Sequence, residues 1–126
     1  MPVNEFRKNA KIIDNFLTKY LKKQKNSGLI TPMKYGILNG GKKIRSTIII
    51  NTGKKFNLKI NQLLNVCSAE ECLHYYSLIH DDLPCMDDDD IRRGKPSAHI
   101  KFGESTAVLA GNSLLTLGFE LLSEKN

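Results

Sequence analysis

The amino-acid sequence predicts an all-α domain of about five helices. Apolar residues recur three and four apart along nearly the whole chain. Short clusters of Gly, Pro, Asn and Ser interrupt that rhythm at intervals. The one β-branched run, Thr47 to Ile50, has no second strand to pair with. With 126 residues, 40% of them apolar, the chain fits a single domain, and it contains neither an internal repeat nor a linker.

The elements follow in order. Phe6, Ala10, Ile13, Leu17 and Tyr20 or Leu21 form one stripe, predicting a first helix over residues 4 to 24 that stops at Asn26-Ser27-Gly28. Thr31-Pro32 reads as an N-cap followed by proline at the first helical position, so a short second helix reaches Leu38 and ends at Asn39-Gly40-Gly41. A third helix spans Lys43 to Phe56, its β-branched run notwithstanding. The fourth is the strongest: from Asn61 it carries Leu63, Leu64, Cys67, Glu71, Leu73, Leu78 and Ile79 into an acidic run, where Pro84 disrupts it. Residues 88 to 103 read as a loop and Glu104 to Leu122 as a fifth helix.

Charge is unevenly spread. The formal net charge is +6, yet residues 81 to 90 contain six aspartates and no cation. Two regions of opposite sign suit a ligand that carries both a metal and an anion, whereas a nucleic-acid surface is more uniformly basic and interleaved with aromatics. Nucleic-acid binding is therefore not expected. Cys67, Cys72 and Cys85 are an odd set without CxxC spacing, which supports neither a disulfide framework nor a zinc site and suits reducing cytoplasm. No membrane span or signal peptide is expected.

The chemistry concentrates where the fourth helix ends. At about 100° per residue, Glu70, His74, Ser77 and Asp81 fall on one stripe leading to His80-Asp81-Asp82-Leu83-Pro84-Cys85-Met86-Asp87. Asp81 and Asp87 would point to opposite sides of an undistorted helix. A break at Leu83-Pro84 can bring Asp87 back towards Asp81, and converging carboxylates with room for water and phosphate oxygens are how magnesium is held. A solvated acidic loop is the competing reading, and calcium fits less well because the EF-hand alternation is absent. Arg92 and Arg93, immediately downstream, supply forked donors matched to phosphate. The segment Gly40-Gly41-Lys42-Lys43-Ile44-Arg45 is a diphosphate cradle on its physics: glycines admit backbone amides, the helix start is partly positive, and Lys42 and Arg45 lie three apart. A plain C-cap followed by a basic solvated turn is the alternative. Gly36 to Lys42 also has GxxxxGK spacing, but Lys43 replaces the required Ser or Thr and a helix precedes it.

Gly40 to Arg45, Glu71 to Asp87, Asp88 to Gly94, Lys101-Phe102-Gly103-Glu104 and Leu109-Ala110-Gly111-Asn112 together resemble the trans-polyprenyl diphosphate synthases, and specifically the bacterial farnesyl diphosphate synthase type. The resemblance covers most of residues 35 to 123. It implies the N-terminal part of the isoprenoid synthase helical bundle and a Mg²⁺-assisted prenyltransferase joining isopentenyl diphosphate to an allylic diphosphate. It further implies that Asp81 and Asp87 ligate the ions bridging to the allylic diphosphate, with Asp82 in support and Arg92 on the same diphosphate. Lys42, Arg45, His74 and Arg93 would hold the diphosphate of isopentenyl diphosphate. Tyr76, five residues before Asp81, stands where the family places a bulky side chain that limits product length, which points to a farnesyl or geranyl product.

Two departures stand out. Lys43 and Ser46 occupy positions where arginine and proline are usual. The family also carries a lysine-threonine pair and a second Asp-rich motif further along, and no aspartate follows Asp90 here. Residues 1 to 126 are accordingly read as a truncated polyprenyl synthetase domain, the N-terminal half, expected to lack turnover alone. A non-catalytic half that joins a separate C-terminal half, or a homodimer, is the alternative.

Overall fold

The computed structural model describes residues 3 to 124. Six α-helices and one minimal β-hairpin follow in the order α1 (Val3–Lys22), α2 (Ile30–Ile37), α3 (Ile44–Lys55), α4 (Ile60–Asp81), β1 (Ile91–Arg92), β2 (Lys95–Pro96), α5 (Ala98–Phe102) and α6 (Glu104–Ser123). The all-α expectation holds. Helix α3 runs straight through Thr47 to Ile50 because Thr47 and Ile50 face the core, where packing outweighs the modest helix penalty of β-branching.

Two local expectations are corrected. Helix α2 begins one residue before Thr31, at Ile30, with Leu29 ahead of it and no side-chain cap. The Ser27 hydroxyl accepts from the Leu29 N–H at 3.3 Å instead, and Pro32, now in the third helical position, still costs nothing because the first-turn amides have no intrahelical acceptor. The segment 88 to 103 is not a plain loop. It contains the hairpin Ile91–Arg92/Lys95–Pro96 and the short helix α5, so six helices replace the expected five. The hairpin is closed by Arg93 and Gly94, both at positive φ (51° and 75°), the two-residue geometry whose twist matches paired strands. Gly103, at φ 93°, makes the sharp corner between α5 and α6.

Helix α4 is the hub, packing against α1, α2, α3 and α6. Its closest partner is α6, which presents Ala107, Ala110, Leu114, Leu117 and Leu121 to the core. Small residues allow the approach: a Cβ on Gly118 would lie 3.3 Å from the Ala69 carbonyl oxygen, and one on Gly111 would collide with the His80 ring. The expectation that no apolar stretch reaches membrane-spanning length is also corrected. Glu104–Ser123 is long and apolar enough on length and composition. Its apolar character has a different source here, since one face is a bundle core. The opposite face leaves Leu109, Phe119 and Leu122 exposed. Cys67 and Cys72 are core residues whose thiols burial pushes up to about 12, with Glu71 adding to the effect, so both behave as small inert hydrophobes.

The core makes a direct expectation. Leu114 is fully buried between α6 and α4, so Leu114→Ala costs about 2–5 kcal/mol and lowers the thermal midpoint by roughly 10 °C or more. Leu109→Ala, on the exposed face of the same helix, stays within about 0.5 kcal/mol of the parent. Circular-dichroism melts of the two variants check this, and equal shifts would contradict the assigned faces.

Candidate functional site

Proline at 84 explains where α4 stops. It cannot donate to the His80 carbonyl, and it disfavours helical geometry at Leu83. The freed His80 oxygen accepts the Leu83 N–H at 3.2 Å, tightening the last turn, and the chain doubles back. Asp87 N–H then reaches the Asp81 carbonyl oxygen at 2.7 Å, and Asp89 N–H reaches that of Asp82 at 3.1 Å. The break therefore brings the backbone of Asp87 against that of Asp81. Asp87 to Asp90 are exposed and Asp81 is half-buried.

Asp82 behaves differently from its neighbours. It is buried, and both its oxygens accept from one guanidinium, Oδ2 from Arg92 Nε and Oδ1 from Arg92 Nη2, each at 2.8 Å. This fork raises the Arg92 pKa, the hydrogen bond to Asp82 being the largest cause. Asp82 is thus spoken for by Arg92 and faces away from open solvent. Ser97 ties the other end of the loop, its hydroxyl donating to the Asp89 carbonyl at 2.7 Å and its N–H to that of Asp90 at 2.8 Å.

The hairpin tip carries Arg93 across to the glycine-rich loop. Arg93 Nη1 donates to the Gly40 carbonyl at 2.9 Å and to the Tyr75 hydroxyl oxygen at 3.1 Å, while Tyr75 Oη donates to that same carbonyl at 2.6 Å. Gly41 suits glycine because its φ of 102° strains any other residue, and an added Cβ, 2.5 Å from Arg93 Nη1, would also push the guanidinium aside. Lys42, Arg45, His74 and Arg93 line one cavity of about 360 Å³, with Gly41 and Tyr75 in its wall. Lys42 lies in the loop, two residues ahead of α3, which opens at Ile44.

Within that cavity Arg45 Nη1 lies 3.3 Å from His74 Nε2, and Arg45 Nε lies 3.4 Å from Glu70 Oε1. Burial, then Arg45, Arg93, Arg92 and Lys43, hold the His74 pKa below the usual imidazole value. Glu70 is pushed the other way, chiefly by burial and then by Glu71, with Arg45 opposing. Of the polar stripe on α4, Ser77 does not face the site chemistry: its hydroxyl donates back to the His74 carbonyl at 2.6 Å. Tyr76 is half-buried and stacks edge-on against His80, ring centroids 5.2 Å apart.

Sequence reasoning passed over the ground beneath the cradle. Lys43 is buried in a left-handed conformation (φ 51°), with Nζ 3.3 Å from Asp14 Oδ1 and 4.0 Å from Glu71 Oε2. Glu71 in turn accepts from the Ser46 hydroxyl at 2.7 Å. The two departures from the family pattern, Lys43 and Ser46, thus meet on one buried carboxylate, and Lys43 and Glu71, although buried, share the cavity wall with Lys42. Tyr75 went unnoticed because its spacing from Cys72 and Ile79 is that of a core residue, and its ring is indeed buried. Only the hydroxyl reaches the cradle.

Among the described residues no three His, Cys, Asp or Glu side chains converge. The donor chemistry nonetheless fits magnesium, which is ordinarily held by one or two carboxylates together with water and substrate phosphate oxygens. Asp81 and Asp87 supply hard oxygen donors at a solvent-accessible turn.

A family profile described as Polyprenyl synthetase matches residues 26–126. The chain is 52% identical over 99 residues to farnesyl diphosphate synthase of Escherichia coli (strain K12), covering 79% of this chain and 33% of that enzyme. It is 40% identical to farnesyl diphosphate synthase of Geobacillus stearothermophilus, covering 98% of this chain and 42% of the relative. The apo crystal structure of a FPP/GFPP synthase from Zymomonas mobilis superimposes with a TM-score of 0.91 at 42% identity, over 98% of this chain and 46% of that one. The chain thus spans less than half the length of these relatives. The family match and these relatives agree: this chain belongs to the polyprenyl synthetase family.

Proposed function

We propose that the chain is the diphosphate-binding part of a prenyltransferase that joins isopentenyl diphosphate to an allylic diphosphate, giving a farnesyl or geranyl product. One observation carries this reading: Lys42, Arg45, His74 and Arg93, drawn from three separate segments, share a single cavity. Five nitrogen-bearing side chains, Lys43 among them, against the single Glu71 carboxylate around 360 Å³ suit a small, highly charged anion far better than an apolar ligand. These groups hold the isopentenyl diphosphate. Asp81 and Asp87 would hold Mg²⁺, which when bound would supply positive charge to offset the negative charge developing on a departing diphosphate. Asp82 acts through Arg92, aiming its guanidinium at the same diphosphate. The product-length limit falls to Tyr76, braced by His80. A cytosolic setting follows from diffusible diphosphate substrates.

The residues do the rest by position. Breaking the allylic C–O bond places a negative charge on the departing diphosphate and a positive charge on the allyl carbon. Donors fixed beforehand stabilise the former without reorganising, and an apolar helical lining keeps water from the latter. Residues 81 to 90 supply one acidic cluster, and the 126-residue polypeptide is expected to bind diphosphate without appreciable turnover. A second reading is that it works as a non-catalytic half that docks a separate C-terminal half. The exposed Leu109, Phe119 and Leu122 on α6 favour it.

Three outcomes test these readings. Calorimetry of the purified chain with a non-hydrolysable allylic diphosphate analogue should show Mg²⁺-dependent binding that Asp81→Asn weakens by at least about ten-fold, some 1.4 kcal/mol. Binding unchanged by the metal and by this substitution would end the metal assignment. His74 starts with a lowered pKa, so the free ring is mostly neutral near pH 7, and a bound diphosphate reverses the local field and draws a proton onto it. Pyrophosphate binding by the parent should therefore take up more protons than binding by His74→Asn, read from buffer-dependent heats between about pH 6 and 7. Equal uptake would remove His74 from the anion site. Finally, radiolabelled isopentenyl diphosphate should be incorporated only when a C-terminal half bearing the second Asp-rich motif is added, and turnover by the chain alone would refute the division of labour.

A further inference from the structure

We infer that Tyr75 is a positioning residue of the diphosphate cradle, its hydroxyl fixing both walls at once: the Gly40 carbonyl on one side and the Arg93 guanidinium on the other. This deepens the proposed function and rests on its reading of the cavity.

The geometry is specific. Tyr75 Oη has one proton and gives it to the Gly40 carbonyl at 2.6 Å, which leaves its lone pairs free to accept. Arg93 Nη1 at 3.1 Å and Lys43 Nζ at 3.5 Å are the two donors that meet them. Both cations also lie over the face of the same ring, Lys43 Nζ 5.1 Å and Arg93 Cζ 5.6 Å from its centroid. The ring itself is 3% exposed, held by the core on α4, so the hydroxyl is a fixed point. By contrast, the groups it holds are intrinsically loose. Gly40 and Gly41 sit at φ 85° and 102° in a loop, and Arg93 projects from a two-residue hairpin tip. Gathering a long arginine side chain and a glycine loop around an anion costs rotamer and backbone entropy, and a rigid phenol that pre-arranges both lowers that cost before the ligand arrives. A phenylalanine at this position would pack equally well but would leave Arg93 bonded to Gly40 alone and the Gly40 carbonyl with one donor fewer.

The test is a double-mutant cycle on the full 126-residue chain, with inorganic pyrophosphate as the probe in calorimetry. The substitutions are Tyr75→Phe, Arg93→Ala and the pair. We expect Tyr75→Phe to weaken pyrophosphate binding on the order of five-fold while the melting temperature moves little. In the Arg93→Ala background the same change should have much less effect, because the group it positions is gone. Unaltered affinity in Tyr75→Phe, or a loss that simply adds to that of Arg93→Ala, would overturn the inference, since a merely structural tyrosine gives one of those two results. Parent chain that fails to bind pyrophosphate would instead refute the cradle reading beneath it, and the inference with it. Should Tyr75→Phe not fold, proton exchange of the Arg93 guanidinium in the unmodified chain decides the matter. It should be protected without ligand and shifted by pyrophosphate, and a fast-exchanging, unmoved signal would refute the contact.

Discussion

The buried pair between Asp82 and Arg92 is the constraint around which the functional end of this molecule is arranged. A carboxylate shut away from water is tolerable only when its oxygens are met by donors, and a bidentate guanidinium meets both. That requirement fixes more than one side chain. Arg92 sits on β1, so holding it against the end of α4 anchors the whole hairpin there. The next residue, Arg93, is thereby delivered to the glycine-rich loop, and the acidic turn between the two ends of the pair is closed into a short circuit.

Consecutive arginines therefore carry unlike duties, and so do consecutive aspartates and lysines. Asp82 is structural glue while Asp81 stays accessible. Lys43 is buried against Asp14 and Glu71 while Lys42 is exposed, although both touch the cavity. Such adjacency has a simple origin. Each pair sits at a helix end or turn, where successive side chains diverge widely, so one can face the core as the next faces the site. The buried members brace the loops from below, and the more exposed members, Asp81, Lys42 and Arg93, lie towards solvent.

The electrostatics of the two neighbouring regions are complementary by construction. The basic cavity depresses ionisation of His74 and leaves it able to accept from Arg45 in the free chain. The acidic turn, a few residues further along the same helix, offers oxygens to a cation. A ligand that contains both a phosphate anion and a divalent metal satisfies each region with the charge it lacks.

Much of this was legible in the residues themselves. The helical rhythm, the break at Pro84, the glycine-rich loop and the crowd of aspartates are local facts, because hydrogen-bond geometry, proline's missing donor and like-charge repulsion act over a few positions. So the all-α architecture and four of the cavity residues, Lys42, Arg45, His74 and Arg93, could be read in advance. The hairpin and α5 within residues 88 to 103 could not, since two-residue strands leave no periodic trace and exist only because Asp82 and Ser97 tie them down. Nor could the sequence show that Asp82 is buried against Arg92, that Lys43 is buried against Asp14 and Glu71, or that Tyr75 is more than an ordinary core ring. Those distinctions depend on which distant group lies opposite, at separations of 10 to 35 residues along the chain, and only packing of α4 against its neighbours decides that. Local chemistry set what the chain could bind; tertiary contact chose which copy of each residue type is left free to do it.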